Sequence, residues 1–161
     1  MSDDTIRTLV AQGLQALRAG GEVAERATAE IRGDAGDDQL KQLLDEGNRT
    51  SEQWRQRVQR ALDEAGPSPS GDQGNPVLEA HYEVSRRIRQ QARDARSRDL
   101  GIIASGQLAL HYWIASFGTL RTYAAQVGLS ETEQAMQRSL EEAKEADQRH
   151  TDAAQRILRA A

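Results

Sequence analysis

The chain of 161 residues has no cysteine, three prolines, one phenylalanine and an aromatic content of only 4%. Without cysteine there can be no disulfide, no thiolate nucleophile and no zinc site built on sulfur. All three prolines fall in one stretch, GPSPSGDQGNP at 66–76, so the rest of the chain is free of the residue that most strongly interrupts a helix. Neither sign of charge dominates: 21 Lys and Arg against 25 Asp and Glu leave a net charge of -4. Such a balance argues against nucleic acid as a partner, because general binding to it draws on a clustered basic surface. The first 17 residues carry Asp3 and Asp4 and no apolar run of the signal-peptide kind. No stretch is expected to reach membrane-spanning length, so the expectation is a cytoplasmic protein with no membrane partner. Ser/His/Asp order, a phosphate-binding glycine loop and a nucleotide fingerprint are all lacking, so no catalytic residue and no cofactor is expected.

What is present is helix. With 37% hydrophobic and 29% charged residues, the chain has the length and composition to bury one core, and a single domain spanning 1–161 is the simplest organisation. Apolar residues recur at helical spacing almost throughout. The first stripe runs Ile6, Leu9, Val10, Leu14, Leu17, Ala24, Ala27 and Ile31, opened by Ser2 or Asp3 as cap and ended by Gly33 and Gly36. A heptad-like seam follows through Leu40, Leu44, Gly47, Ser51, Trp54, Val58, Ala61 and Ala65. Beyond the 66–76 loop, residues 77–98 read as a shorter crossover helix carrying Leu78, His81, Val84, Ile88, Ala92 and Ala95. Asp99 is expected to cap the next long helix, whose stripe is Ile103, Gln107, Leu110, Ile114, Phe117, Arg121, Ala124 and Val127, with Gly128 as its stop. Ser130 and Glu133 have the form of a capping box for the last helix, with Met136, Leu140, Ala143, Asp147, His150, Ala154 and Ile157 along its seam. Short links flank a long central crossover, the arrangement of an all-α, ferritin-like antiparallel four-helix bundle with a short accessory helix.

One run is more specific than the periodicity. HYWIASFGTLRTYAAQVGL, from His111 to Leu129, and the LEEAKEAD that follows at 140–147, resemble the YciE/YciF-type ferritin-like family of bacterial stress-associated proteins. The matching places are His111, Tyr112, Ile114 to Ser116, Gly118 to Leu120, Tyr123, Gln126, Gly128, Leu140 to Glu142, Lys144 and Asp147. The resemblance implies a four-helix bundle, usually dimeric, and a role in stress physiology. Ferritin-like bundles commonly hold two iron ions on inward Glu and Glu-x-x-His ligands. Carried over by register, those ligand places fall at or beside Gly21, near Gly47 and Thr50, at Leu110 and Trp113, and at Ala143 and Asp147. Only Asp147 offers a carboxylate, and a hard-metal site cannot be made from Gly, Leu and Ala. The expectation is therefore a structural or interaction protein that is no enzyme, holds no metal and forms a homodimer. The alternative is an iron-storage or oxidase protein with an altered site.

Several residues carry two readings. Asp147 and His150 share a helix and His111 lies on the preceding one, so the three are a candidate metal or acid/base cluster; the plainer reading is local hydrogen bonding with His111 in the interior. Arg86, Arg89, Arg93 and Arg96, with Arg87 and Arg98 nearby, form a stripe at 86–98 suited to an anionic partner or simply to water. Trp54, Trp113 and Phe117 read as core, with a dimer face as the other option for Trp113, while Glu22, Glu25 and Glu30 read as solvated. The adjacent Gly20 and Gly21 inside a helix imply a close approach or a kink.

Overall fold

The computed structural model describes residues 2–160; Met1 and Ala161, the two ends of the expected 1–161 span, lie outside the described residues. Five helices follow one another: α1 (Asp3–Asp34), α2 (Asp38–Ala65), α3 (Pro76–Gln91), α4 (Ala95–Gln126) and α5 (Ser130–Arg159). No strand occurs among the described residues. α1 packs on α2 and α4, and α5 packs on the same two helices, so the four long helices form a square. Contacts near the ends fix the directions. Asp99 at the start of α4 meets Gly36 between α1 and α2, Arg7 near the start of α1 reaches the Val127 carbonyl, and Thr132 near the start of α5 meets Ala61 near the end of α2. Every side of the square is thus antiparallel, while α2 and α4, on a diagonal, run the same way. Two parallel helices need a long crossover between them, and the 66–75 loop with α3 supplies it, which is the ferritin-like connection.

That loop climbs along α1. Gln12 bonds Ser70 at 3.2 Å and Arg18 bonds Asp72 at 3.3 Å. Asn75, 3% exposed, ends the climb: its side chain accepts from the Leu78 amide and donates to the Ala16 carbonyl and the Tyr112 hydroxyl. α3 then starts on Pro76, the last residue of the expected loop, since proline is at home in a first helical turn. The close approach expected at Gly20 occurs here. A Cβ on Gly20 would stand 2.7 Å from Asn75 Nδ2 and 2.9 Å from Leu78 Cδ1.

Two helix starts differ from expectation, one because the local cap lies five residues earlier and the other because a distant carboxylate replaces the local box. The crossover helix ends at Gln91, with Ala92 in extended backbone, and α4 begins at Ala95 under a capping box of Asp94 and Ser97. Asp99 therefore sits inside α4, 4% exposed, and accepts the Gly36 and Asp37 amides at 2.7 and 2.9 Å, clamping the α1–α2 link. At α5 the Ser130–Glu133 box does not form: Leu129 is the N-cap and has no side-chain hydrogen bond. Glu64 of α2 instead accepts the Glu131 and Thr132 amides and the Thr132 hydroxyl. Burial opposes ionisation of Glu64, yet these donors outweigh it and hold its carboxyl below the usual range.

Two further expectations are corrected by tertiary packing. On α3 the buried face is Leu78, Ser85 and Arg89, whereas Val77, Val84 and Ile88 are exposed. Arg89, 5% exposed, accounts for the difference, because its guanidinium donates to Asp34, Glu30 and Ser85 and ties α3 to α1. Second, α4 is long and apolar enough to cross a membrane by length and composition, contrary to the expectation that no stretch would be. In the bundle its Ile102, Ile103, Ala109, Trp113, Phe117, Leu120 and Ala124 are core residues, as suits a helix that packs on α5, α1 and α3.

The core has two parts. A larger cluster gathers around Leu14, Val58, Phe117, Leu120, Met136 and Ala143, and a smaller one around Ile31, Leu40, Ile102, Ile103 and Ile157.

Candidate functional site

Between those clusters lies a cavity of about 110 Å3, lined by side chains from all five helices. Four of the positions aligned with iron ligands line it: Gly47, Thr50, Leu110 and Trp113. Its aromatic wall is fixed from behind. Trp113 stacks on Phe117 at 5.7 Å between ring centres, and Trp54 meets Phe117 edge-on at 5.2 Å. The Trp54 indole N–H donates to Glu142 at 2.9 Å, so its ring cannot turn freely. Trp113 is 7% exposed and so belongs to the core of the chain.

Glu142 shows why an acid near the bundle interior need not be a ligand. Both its oxygens are taken by the Arg57 guanidinium, at 2.6 and 2.9 Å, in the forked geometry that makes such pairs strong. Burial works against the charge on Glu142, but Arg57 and Trp54 together hold its carboxyl below the ordinary glutamate range. Arg57 spends another bond on Ser139.

The candidate trio of Asp147, His150 and His111 is divided. Asp147 accepts from Gln107 at 3.3 Å and lies 3.2 Å from His111 Nε2, on the seam between α4 and α5. His111 is 66% exposed in its side chain, so it is a surface residue and its expected interior place is not observed. His150, 8% exposed, faces inward instead. Its Nδ1 lies 2.8 Å from the Ala146 carbonyl, which can only accept, so Nδ1 carries the hydrogen. Burial lowers the His150 pKa, which keeps the ring neutral near pH 7 and leaves Nε2 with a lone pair. Nε2 rests over Gly106, where a Cβ would come within 2.9 Å of it. Among the described residues, no group of three or more His, Asp or Glu is placed to hold one metal ion.

Sequence reasoning missed the polar residues that α3 brings to this cavity. His81 and Tyr82 both line it. Burial lowers the His81 pKa and raises that of Tyr82 to about 12, so both are neutral at physiological pH. The only earlier signal was the place of His81 on the crossover seam; nothing local marked Tyr82.

The 86–98 arginine stripe is also divided, since Ala92 to Asp94 separate two helices there. Arg86 pairs with Glu30 and Glu83, Arg87 with Glu83, and Arg89 with Glu30 and Asp34. Arg96 donates to the Leu158 carbonyl and Arg98 to that of Asp34. Glu30 and Glu25, read as solvated, take part in ion pairs with Arg86 and Arg55.

Helix order, diagonal crossover and this central layer define the chain as a ferritin-like helical bundle. It belongs to the family described as a domain of unknown function (DUF892), whose model matches residues 5–161. Protein YciF of Escherichia coli strain K12 is 35% identical over 78 residues, which span 48% of this chain and 47% of that protein. This aligned segment covers about half of the curated relative's length. The fold is similar to the crystal structure of the E. coli stress protein YciF, with a TM-score of 0.91 at 22% identity over 97% of this chain and 98% of the other. It is also similar to YcfI of Rhodopseudomonas palustris, described as a candidate structural protein, with a TM-score of 0.84 at 21% identity and 94% coverage of both chains.

Proposed function

We propose that this chain is a YciE/YciF-type protein that has lost the di-iron chemistry of its fold and serves the bacterial stress response as a non-catalytic structural or interaction protein. It acts in the cytoplasm as a homodimer, and its described length forms a single working domain. One observation carries the reading. At the level of the bundle where iron ligands are expected, the chain presents Gly47, Thr50, Leu110 and Trp113 to the cavity, while the remaining acid, Asp147, lies on the α4–α5 seam bonded to Gln107. A di-iron centre needs several anionic oxygen donors to offset the metal charge, and these residues do not fit one. Removing buried carboxylates also removes their desolvation cost, so the metal-free bundle needs no ion to be stable. The names of the relatives, a stress protein and a candidate structural protein, agree with this reading.

The competing reading is a metal-binding protein with an altered site. The lone pair of His150 Nε2 beside the cavity favours it. Metal analysis of protein purified without chelator separates the two. Substoichiometric iron, manganese and zinc, with a Tm unmoved by EDTA, is the expected result. One tightly held ion per chain, lost to EDTA together with a fall in Tm, would establish the competing reading instead. An anionic partner at 86–98 ranks below both, because Arg86 and Arg89 are already neutralised within the chain.

A further inference from the structure

We propose that the central cavity is a binding site for one small, neutral, hydroxylated aromatic molecule of the size of phenol, its ring against Trp54 and Trp113 and its hydroxyl donating to Nε2 of His150.

Size comes first. A cavity of about 110 Å3 is of the order of the engineered apolar cavity, about 150 Å3, that takes up benzene. Charge comes next: no Asp, Glu, Lys or Arg lines it, so a charged guest would be desolvated without a counter-charge. Two fixed indoles, 5.9 Å apart between ring centres and tilted by 50°, supply an apolar corner that is in place before any guest arrives, which spares the guest the cost of ordering it. Chemistry selects the polar end. With Nδ1 committed to the Ala146 carbonyl, His150 offers the cavity an acceptor, and a guest that donates satisfies it. Tyr82, which also lines the cavity and keeps its hydroxyl protonated, is a second group able to meet the guest. A few waters would fill the same space poorly, because each needs two or more polar partners and the lining is mainly apolar.

There is also a way in. The cavity and a groove between α2 and α5 share Leu43, Gly47, Thr50, Ala146 and His150. Gly47 is the gap in this shared wall, since a Cβ built there would meet nothing within 4 Å.

Titration of the full chain with phenol and with toluene, followed by calorimetry and by the fluorescence of Trp54 and Trp113, tests the assignment. Phenol is expected to bind one per chain and roughly tenfold more tightly than toluene, the value of one hydrogen bond. His150→Leu should erase that tenfold preference while keeping toluene binding, and Gly47→Leu should weaken both ligands with the helical circular dichroism unchanged. Absence of saturable binding of either ligand to the unmodified protein would overturn the proposal. So would equal affinity for the two ligands, or binding indifferent to both substitutions. The unmodified protein decides the first two points, so the test survives even if a variant fails to fold.

Discussion

The end of the bundle where α4 stops and α5 starts is filled, whereas its middle, built from the same four helices, is hollow. Around Phe117 the interior is made of Val10, Leu14, Leu120, Met136 and Ala124, all at most 5% exposed. Two to three turns away along α4, Ser105, Gly106 and Ala109 share the lining with Gly47 and Ser51, and a cavity remains. The difference teaches that helix spacing is set by the filled layers. Two well-packed clusters on either side hold the helices apart at the middle, and small residues there leave room that the backbone cannot close.

Substitutions can break or sharpen this contrast. The largest effect is expected from Phe117→Ala, which should cost about 3–5 kcal/mol in denaturant unfolding, since this fully buried ring touches both indoles. Leu110→Ala, at the cavity wall, should cost less than about 2 kcal/mol, because part of its surface already faces empty space. Equal losses at the two sites would mean that the middle is as well packed as the end. Next in size, Gly20→Ala should cost about 1–3 kcal/mol: the new Cβ meets Asn75 and Leu78, whose own bonds and burial keep them in place. Gly47→Ala, also inside a helix, should do the opposite and raise stability by up to about 1 kcal/mol, for it gains helix propensity and touches nothing. Opposite signs at these two glycines are the measurable form of the contrast.

The smallest effect is on pH. His81 and His150 titrate lower in the fold than in the open chain, so the unfolded state binds more protons as pH falls below about 6.5. Stability attached to these rings is therefore complete above that pH and is lost below it. For His150, Asp147 favours the proton and Arg149 opposes it, with burial the largest influence. The Tm should fall between pH 7 and pH 5, and His150→Leu should flatten that fall. A fall of the same size in the variant would assign the effect elsewhere.

Much of the fold was legible in the residues. The seam of Trp54, Val58 and Ala61 on α2 and that of Met136, Leu140 and Ala143 on α5 are buried where their spacing put them. Gly128, at a φ of 71°, ends α4 as expected of a glycine after a helix. Ser2 accepts from the Thr5 amide at the start of α1. The site was less legible. Asp147 and His150 are three residues apart in sequence, yet one bonds across the α4–α5 seam and the other turns to the interior, since three residues of helix leave them about 60° apart around the axis. Asp99 read as the cap of its own helix and nothing local marked Glu64; only their long-range partners reveal them as caps for other segments.

Sequence alone determined the helices, their approximate limits and the crossover, because hydrophobic periodicity and the clustered prolines act over a few residues at a time. It also decided which side chains were available to the middle of the bundle. Tertiary structure decided that Arg89 is buried and Val84 exposed, that α4 has its apolar face inside a bundle, and that five helices leave a cavity beside His150. Those outcomes depend on which faces meet and how closely neighbouring layers let them approach, and that information is shared among helices far apart in the chain.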